Sequence, residues 1–211
     1  MVCLRKTCFL IVVKLIFLII PCIGQNKISC PEKWWVVFHP FAAKKIYDAA
    51  KVTLEGVKKV KVDSLLDFRN SGGTLDAFRH TYWMALASQK VKAKKAISFG
   101  NAHERGNFKM FKKLQYEEGE VPDSVSGAMD LFNNTVGAKL GSENKSMLQD
   151  SLFELVLSKI KIGDMKIVAI DCSGNYVDCN LKTIEKEKLY GRWNNNKCLV
   201  PSNTVCFKME P

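Results

Sequence analysis

Residues 74–91 read TLDAFRHTYWMALASQKV. Leu75, Phe78, Tyr82 and Leu86 recur at three- and four-residue intervals, the apolar stripe of an α-helix. The run RNSGG just before (residues 69–73) is a break. Thr74 is therefore the expected N-cap, and Asp76 falls in the first turn, where the helix dipole favours an anion. The same stretch carries polar groups beside its stripe rather than opposite it. Asp76, His80 and Trp83 stand at i, i+4 and i+7 and share one face. A helical frame with a polar cluster next to its core follows from this one segment.

The flanking sequence extends the helical reading. Residues 41–61 place Phe41, Ile46, Ala49, Ala50 and Val57 near helical spacing with lysines on the other face, which is a surface helix. A third helix is expected from Ala93 to Glu104, with Arg105-Gly106-Asn107 as its stop. Pro122-Asp123-Ser124 starts a fourth, which runs to Leu140, ends at Gly141 and has Met129, Phe132, Val136 and Leu140 as its stripe. A fifth covers Lys145 to Lys161. Gly163-Asp164 then turns into MKIVAI (165–170), a β-like run that Ser173-Gly174-Asn175 returns as a hairpin with YVDC (176–179). The fold class is mainly α: a five-helix domain over residues 25–165, then a small β-hairpin and loop tail over residues 166–211, stapled by disulfides.

The 211 residues carry 32 Lys+Arg against 21 Asp+Glu, a formal charge of +11, with 47% hydrophobic residues, eight Cys and three His. The hydrophobic share excludes a disordered chain. So few His exclude a large His-based metal cage, and eight Cys are too sparse for a scaffold in which disulfides replace the core. Residues 1–24 read as a secretory leader: Arg5 and Lys6, an apolar run from Cys8 to Ile20 interrupted by Lys14, and small residues at Cys22 and Gly24 before a cleavage point at Gln25. An uncleaved anchor is the alternative. Cleavage would leave 29 basic and 21 acidic residues, a net of +8, and five Cys. In an oxidising compartment these should pair, with Cys172–Cys179 and Cys198–Cys206 as the local solution; spacing does not fix the connectivity, and because five is odd, either one thiol is free or the protein pairs with another chain. Of the two sequons, Asn144-Lys145-Ser146 sits in a turn-like stretch and is the expected glycan site, whereas Asn133-Asn134-Thr135 falls inside a helix. The expected localisation is extracellular.

Two further stretches repeat the polar pattern of the first. Asn101-Ala-His103-Glu104 lies at a helix end, and in Met129-Asp130-Leu-Phe-Asn133-Asn134-Thr-Val-Gly137 the residues Asp130, Asn134 and Gly137 have the same spacing as Asp76, His80 and Trp83. A mid-helix glycine costs about 1 kcal/mol against alanine, so Gly137 points to a close approach by a backbone, side chain or ligand. His80, His103, Glu104 and Asp130, with Asp76, form the candidate ligand set for a divalent cation. Imidazoles with carboxylates suit zinc, manganese or iron, and a bound ion would acidify water for hydrolysis. Asp76, Arg79, His80, Glu104 and Asp130 are the candidate catalytic residues, with Trp83, Asn133 and Asn134 as substrate contacts. There is no H-E-x-x-H, so a zincin is not supported.

The three motifs D-A-F-R-H-x-Y-W, A-H-E and M-D-x-x-N-N-x-x-G, in this order over roughly residues 40–170, resemble a family of small, often secreted domains of unknown function. The resemblance implies a helical fold in which the stretches meet, and no established activity. The order H…HE…D also looks like the HD-type helical hydrolases, with Glu104 where they carry Asp and without their further ligand pair. R-H-x-x-W resembles the catalytic helix of secreted phospholipases, without a glycine-rich calcium loop.

The expected function is a secreted hydrolase using a His/Asp/Glu site on an anionic extracellular substrate, metal-assisted or with Glu104 and Asp130 as the acid and base of a glycosidase. The alternative is a non-enzymatic binding or effector protein whose Asp, His, Arg and Asn residues form a buried network that fixes helix register. The basic balance favours anionic glycans, cell walls or membrane surfaces as partners. Lysines 90, 92, 94, 95, 109, 112 and 113 read as a solvated helix face, and no aromatic-interleaved motif supports nucleic acid.

Overall fold

The computed structural model describes residues 28–114 and 120–208. The expected leader of residues 1–24, with Cys3, Cys8 and Cys22, lies outside the described residues. The elements in chain order are α1 (Cys30–Phe38), α2 (Pro40–Val62), α3 (Thr74–Lys90), α4 (Ala93–Phe111), α5 (Ser124–Glu143), α6 (Gln149–Lys161), β1 (Lys166–Val168), α7 (Lys186–Leu189) and β2 (Leu199–Pro201). The protein is mainly helical with a small two-stranded antiparallel sheet, and seven helices rather than five stand among the described residues.

The helix read first is the centre of the fold. α3 is buried from Leu75 through Ser88 apart from Arg79 and Trp83, and it packs on α2, α4, α5 and α6. Phe78, Tyr82 and Phe153 of α6 stack there as an aromatic cluster, with ring centroids 5.2–5.7 Å apart. Thr74 is the first helical residue and not the cap; Gly73 takes that position without a side-chain bond. The capping acceptor comes from a distance. The Asp67 carboxylate accepts the amides of Thr74 (3.0 Å) and Leu75 (3.2 Å), and the Thr74 hydroxyl accepts the Asp67 amide (3.0 Å). This reciprocal pair closes the loop that sequence marks as a break.

α1 is additional to the expected helices. It opens on a capping box: the Ser29 hydroxyl accepts the Glu32 amide and the Glu32 carboxylate accepts the Ser29 amide at 2.7 Å. Trp35 is its buried anchor, while Trp34 is exposed. α4 does not stop at Glu104 but runs through Arg105-Gly106-Asn107 to Phe111. Gly106 is not a terminator. A side chain there would collide with Ser29, so the glycine lets α1 lie across α4. α6 begins at Gln149, not Lys145, because residues 144–148 turn the chain first.

Two expected apolar faces are rotated. In α2 the inward residues are Ala42, Ile46, Ala49, Thr53 and Val60, and Phe41, one residue off that face, is 88% exposed. In α5 the inward residues are Met129, Asp130, Asn133, Asn134, Gly137, Ala138 and Gly141, leaving Phe132 exposed. Gly137 and Gly141 cause the second rotation. Each lies against the α3 backbone, at Thr81 and Ala85, so the smallest residues rather than the bulkiest take the contact.

The tail keeps part of the expected hairpin, with an antiparallel bridge of Ile170 to Tyr176 and the Val177 amide bonded to the Ala169 carbonyl at 3.3 Å. The 173–175 turn does return the chain, with the Asp171 amide bonded to the Asn175 carbonyl at 2.8 Å. However, β1 pairs with β2, Lys166 opposite Pro201 and Val168 opposite Leu199. The disulfides are Cys172–Cys206 and Cys179–Cys198, correcting the local pairing. The backbone explains it. Phe207 bonds to Ile170 and Cys172, and Cys198 bonds to Ala169 and Val177, so the late cysteines arrive alongside the early ones. Among the described residues Cys30 is the unbridged thiol, and it is exposed. Among the described residues no helix is long and apolar enough to cross a membrane.

Candidate functional site

The backbone contact of α3 with α5 sets His80 opposite Asp130 and Asn134. His80 Nε2 lies 3.4 Å from Asp130 Oδ1 and 3.4 Å from Asp76 Oδ1, one turn earlier on its own helix. On the other side of the ring, His80 Nδ1 faces Asn134 Oδ1 at 3.2 Å. Asp76, His80 and Asp130 are all buried, and their ligand-type atoms lie within 4.8 Å of one another. In the tautomer with the proton on Nδ1, the ring donates to the Asn134 side-chain oxygen. Nε2 then turns toward two carboxylates. A proton held on either partner, or a cation shared with the carboxylates, can bridge these atoms.

Further bonds orient these groups. Asp76 Oδ2 accepts the Gly72 amide at 2.7 Å, and Arg79, half-buried, donates to Asp76 Oδ1. Gly100 makes room for the Asn134 amide; a Cβ there would sit 2.9 Å from Asn134 Nδ2.

The other expected site residues are nearby but otherwise engaged. His103 Nδ1 bonds to Glu32 Oε1 at 2.9 Å, and its ring centroid is 6.4 Å from that of His80. Burial alone would raise the Glu32 carboxyl, but the His103 hydrogen bond and charge, with Ser29, outweigh it and hold the group below its ordinary value. Glu104 is buried and accepts Asn107 Nδ2 at 3.1 Å. The Trp83 indole donates to the Ile46 carbonyl at 3.2 Å and meets His103 edge-on. Asn133 is fully buried: its amide donates to the Lys166 carbonyl at 2.9 Å and accepts the Lys166 amide at 3.0 Å, which pins β1 to α5.

A narrow cleft opens beside Asp76, Arg79 and Asp130, bordered by Ser71, Asn107 and Ser126. Its volume is about 20 Å³, room for one water molecule. The sequence reading missed these three border residues and Glu32. Only Glu32 had a sequence signal, the S-x-x-E capping pattern.

The tail docks close by. The Lys197 ammonium pairs with Asp123, the α5 N-cap, at 2.7 Å, both groups buried, and stands 3.7 Å from the centre of the Tyr176 ring. The Tyr176 hydroxyl donates to the Glu120 carboxylate at 2.7–2.8 Å. Burial and the Glu120 charge push that phenol far above its ordinary value. Trp193 packs against Phe108 and Phe111 of α4 and accepts the Ser124 amide on its carbonyl.

No curated protein and no solved structure matches the chain. Residues 33–164 match the family model described as Domain of unknown function (DUF6973), from within α1 to the end of α6, with the tail beyond it. The match spans more than half of the 211 residues, and the chain therefore belongs to this DUF6973 family.

Proposed function

We propose that the protein is a secreted hydrolase whose centre is the Asp76–His80–Asp130 cluster, assisted by a divalent cation and acting on an anionic extracellular substrate. The observation that carries this reading is the meeting of those three buried side chains, from two helices, beside a cleft with room for one water. One imidazole and two carboxylates match a zinc, manganese or iron site with open positions, and such an ion lowers the pKa of its water toward neutrality. Asn134 holds the imidazole by its far nitrogen, the outer-sphere role that metal-binding histidines commonly need. Arg79 stands where it can meet negative charge developing on a substrate. His103 and Glu104 complete the polar surround on α4. The two disulfides support an oxidising compartment, and the net +8 left after leader cleavage supports an anionic substrate.

The near-complete burial of Asp76 and His80, 3% and 4% exposed, favours a second reading, a network that fixes the register of α3 on α5. Metal titration of the purified protein separates the two. The expected result is one ion per chain, lost in His80→Ala and Asp130→Asn and kept in His103→Ala. No stoichiometric binding of zinc, manganese or iron, with His80→Ala lowering only the melting temperature, would sink the metal-assisted reading and leave the network.

A further inference from the structure

The cleft beside Asp76 does not end at the helices. Ser71, Glu120 and Pro122 border both the cleft and a wider groove of about 580 Å³. That volume lies within the roughly 300–1,000 Å³ of small-molecule sites. One wall of the groove, with Arg69 and Asn70, comes from the loop before α3. The other, with Tyr176, Lys186, Tyr190 and Arg192, comes from the tail, beyond the residues that match the family.

This second wall is built firmly. Cys179–Cys198 and Cys172–Cys206 tie it to itself, and Lys197–Asp123 ties it to the start of α5. Its charge is one-sided. Lys197 and Asp123 neutralise each other, which leaves Arg69, Lys186 and Arg192 against Glu120. The Arg69 guanidinium is aimed by the carbonyls of Gly72 (2.6 Å) and Val168 (2.9 Å), bonds that position the cation without cancelling it.

We infer that this groove is a binding subsite for an acidic glycan, a carboxylated or sulfated oligosaccharide whose chain leads into the Asp76–His80–Asp130 cleft. The groove offers what such a ligand needs. Guanidinium and ammonium groups pair its acid groups. Asn70, whose side-chain oxygen accepts Lys61, and Asn175, whose amide nitrogen donates to Asp171, offer their remaining amide atoms to its hydroxyls. The Tyr190 ring, 68% exposed at the rim, gives its sugar faces an apolar platform. Phe111, Val121, Ile170, Ile184 and Leu189 also line the groove, so it is the excess of cations that favours an acidic glycan, and the vesicle arm of the titration below separates it from a lipid. The inference rests on the hydrolase reading for the direction of the chain, but its binding does not depend on turnover.

Calorimetric titration of the full chain tests it, with a uronate, a sulfated and a sialylated tetrasaccharide against a neutral tetrasaccharide, phosphatidylglycerol vesicles and a single-stranded DNA. At least one acidic glycan should bind, about tenfold tighter than the neutral one, and weaken as salt rises. Lys186→Glu with Arg192→Glu, both exposed positions, should lower that affinity by about tenfold or more with the melting temperature unchanged. The inference is overturned if no acidic glycan binds below about 1 mM, if the double charge reversal leaves affinity unchanged, or if vesicles or DNA bind tighter and lose binding in the same variant. Metal binding retained with glycan binding absent fails the subsite alone. Glycan binding retained with no metal bound fails the metal-assisted reading alone.

Discussion

Gly137 of α5 lies against the Thr81 carbonyl of α3, so closely that a Cβ at position 137 would overlap that oxygen. One turn later Gly141 meets the Ala85 carbonyl in the same way. The two helices touch backbone to backbone, and His80, the neighbour of Thr81, is carried to Asp130 and Asn134. The polar centre exists because small residues let the helices come this near.

Gly137→Ala is expected to destabilise the protein by about 1–3 kcal/mol or more, because the obstacle is backbone and cannot swing aside. The gain of about 1 kcal/mol in helix propensity does not offset this. Gly127→Ala, on the same helix, meets only Glu104 Oε2 at 3.4 Å and is expected to be neutral or stabilising. Urea denaturation midpoints of the two variants should move in opposite directions or differ clearly in size. Equal losses would refute the close-contact argument.

The Glu32–His103 pair predicts a pH dependence. The Glu32 carboxyl is held below its ordinary value of 4.5, so its contribution is full above that pH and fades as pH falls through the lower folded value. Glu32→Gln should cost about 1–3 kcal/mol near pH 6. The gap between wild type and variant should narrow in acid, as pH falls below 4.5. Chemical denaturation across this range checks the sign; a gap that widened in acid would contradict it.

Lys197→Met is expected to cost about 3–5 kcal/mol, since it leaves the buried Asp123 carboxylate without its cation. The tail should then loosen from α5. The Ser124 amide, bonded to the Trp193 carbonyl at 2.9 Å, should lose hydrogen-exchange protection while amides in the middle of α3 keep theirs. Unchanged protection at Ser124 would show that the tail is held by other contacts.

Peptide mapping without reduction should recover Cys172 with Cys206 and Cys179 with Cys198, and alkylation should label Cys30 first. Closing loops of 34 and 19 residues, each bridge is expected to contribute about 3–4 kcal/mol. In a glycosylating host the sugar is expected on Asn144, which is half-buried at the end of α5, and not on Asn133, whose amide is sealed against Lys166. A glycan on Asn133 would mean that α5 does not pack as described.

Periodicity and turn chemistry are local properties, and they made much of this protein legible in its sequence. The stripe of α3, the mainly helical class, the turn at Ser173-Gly174-Asn175 and a close approach at Gly137 all follow from residues within a few positions of one another. α1 was not among the expected helices, although Ser29 and Glu32 carry its capping signal. The tertiary structure decided what depends on which surfaces meet. Contact through glycines turned α5 so that Asp130 and Asn134, rather than Phe132, face inward. Glu32 drew His103 aside, so the closest cluster is Asp76, His80 and Asp130. Backbone pairing across the tail chose the disulfide partners. Sequence spacing records neighbours along the chain, whereas each of these outcomes is set by distance between segments far apart in it.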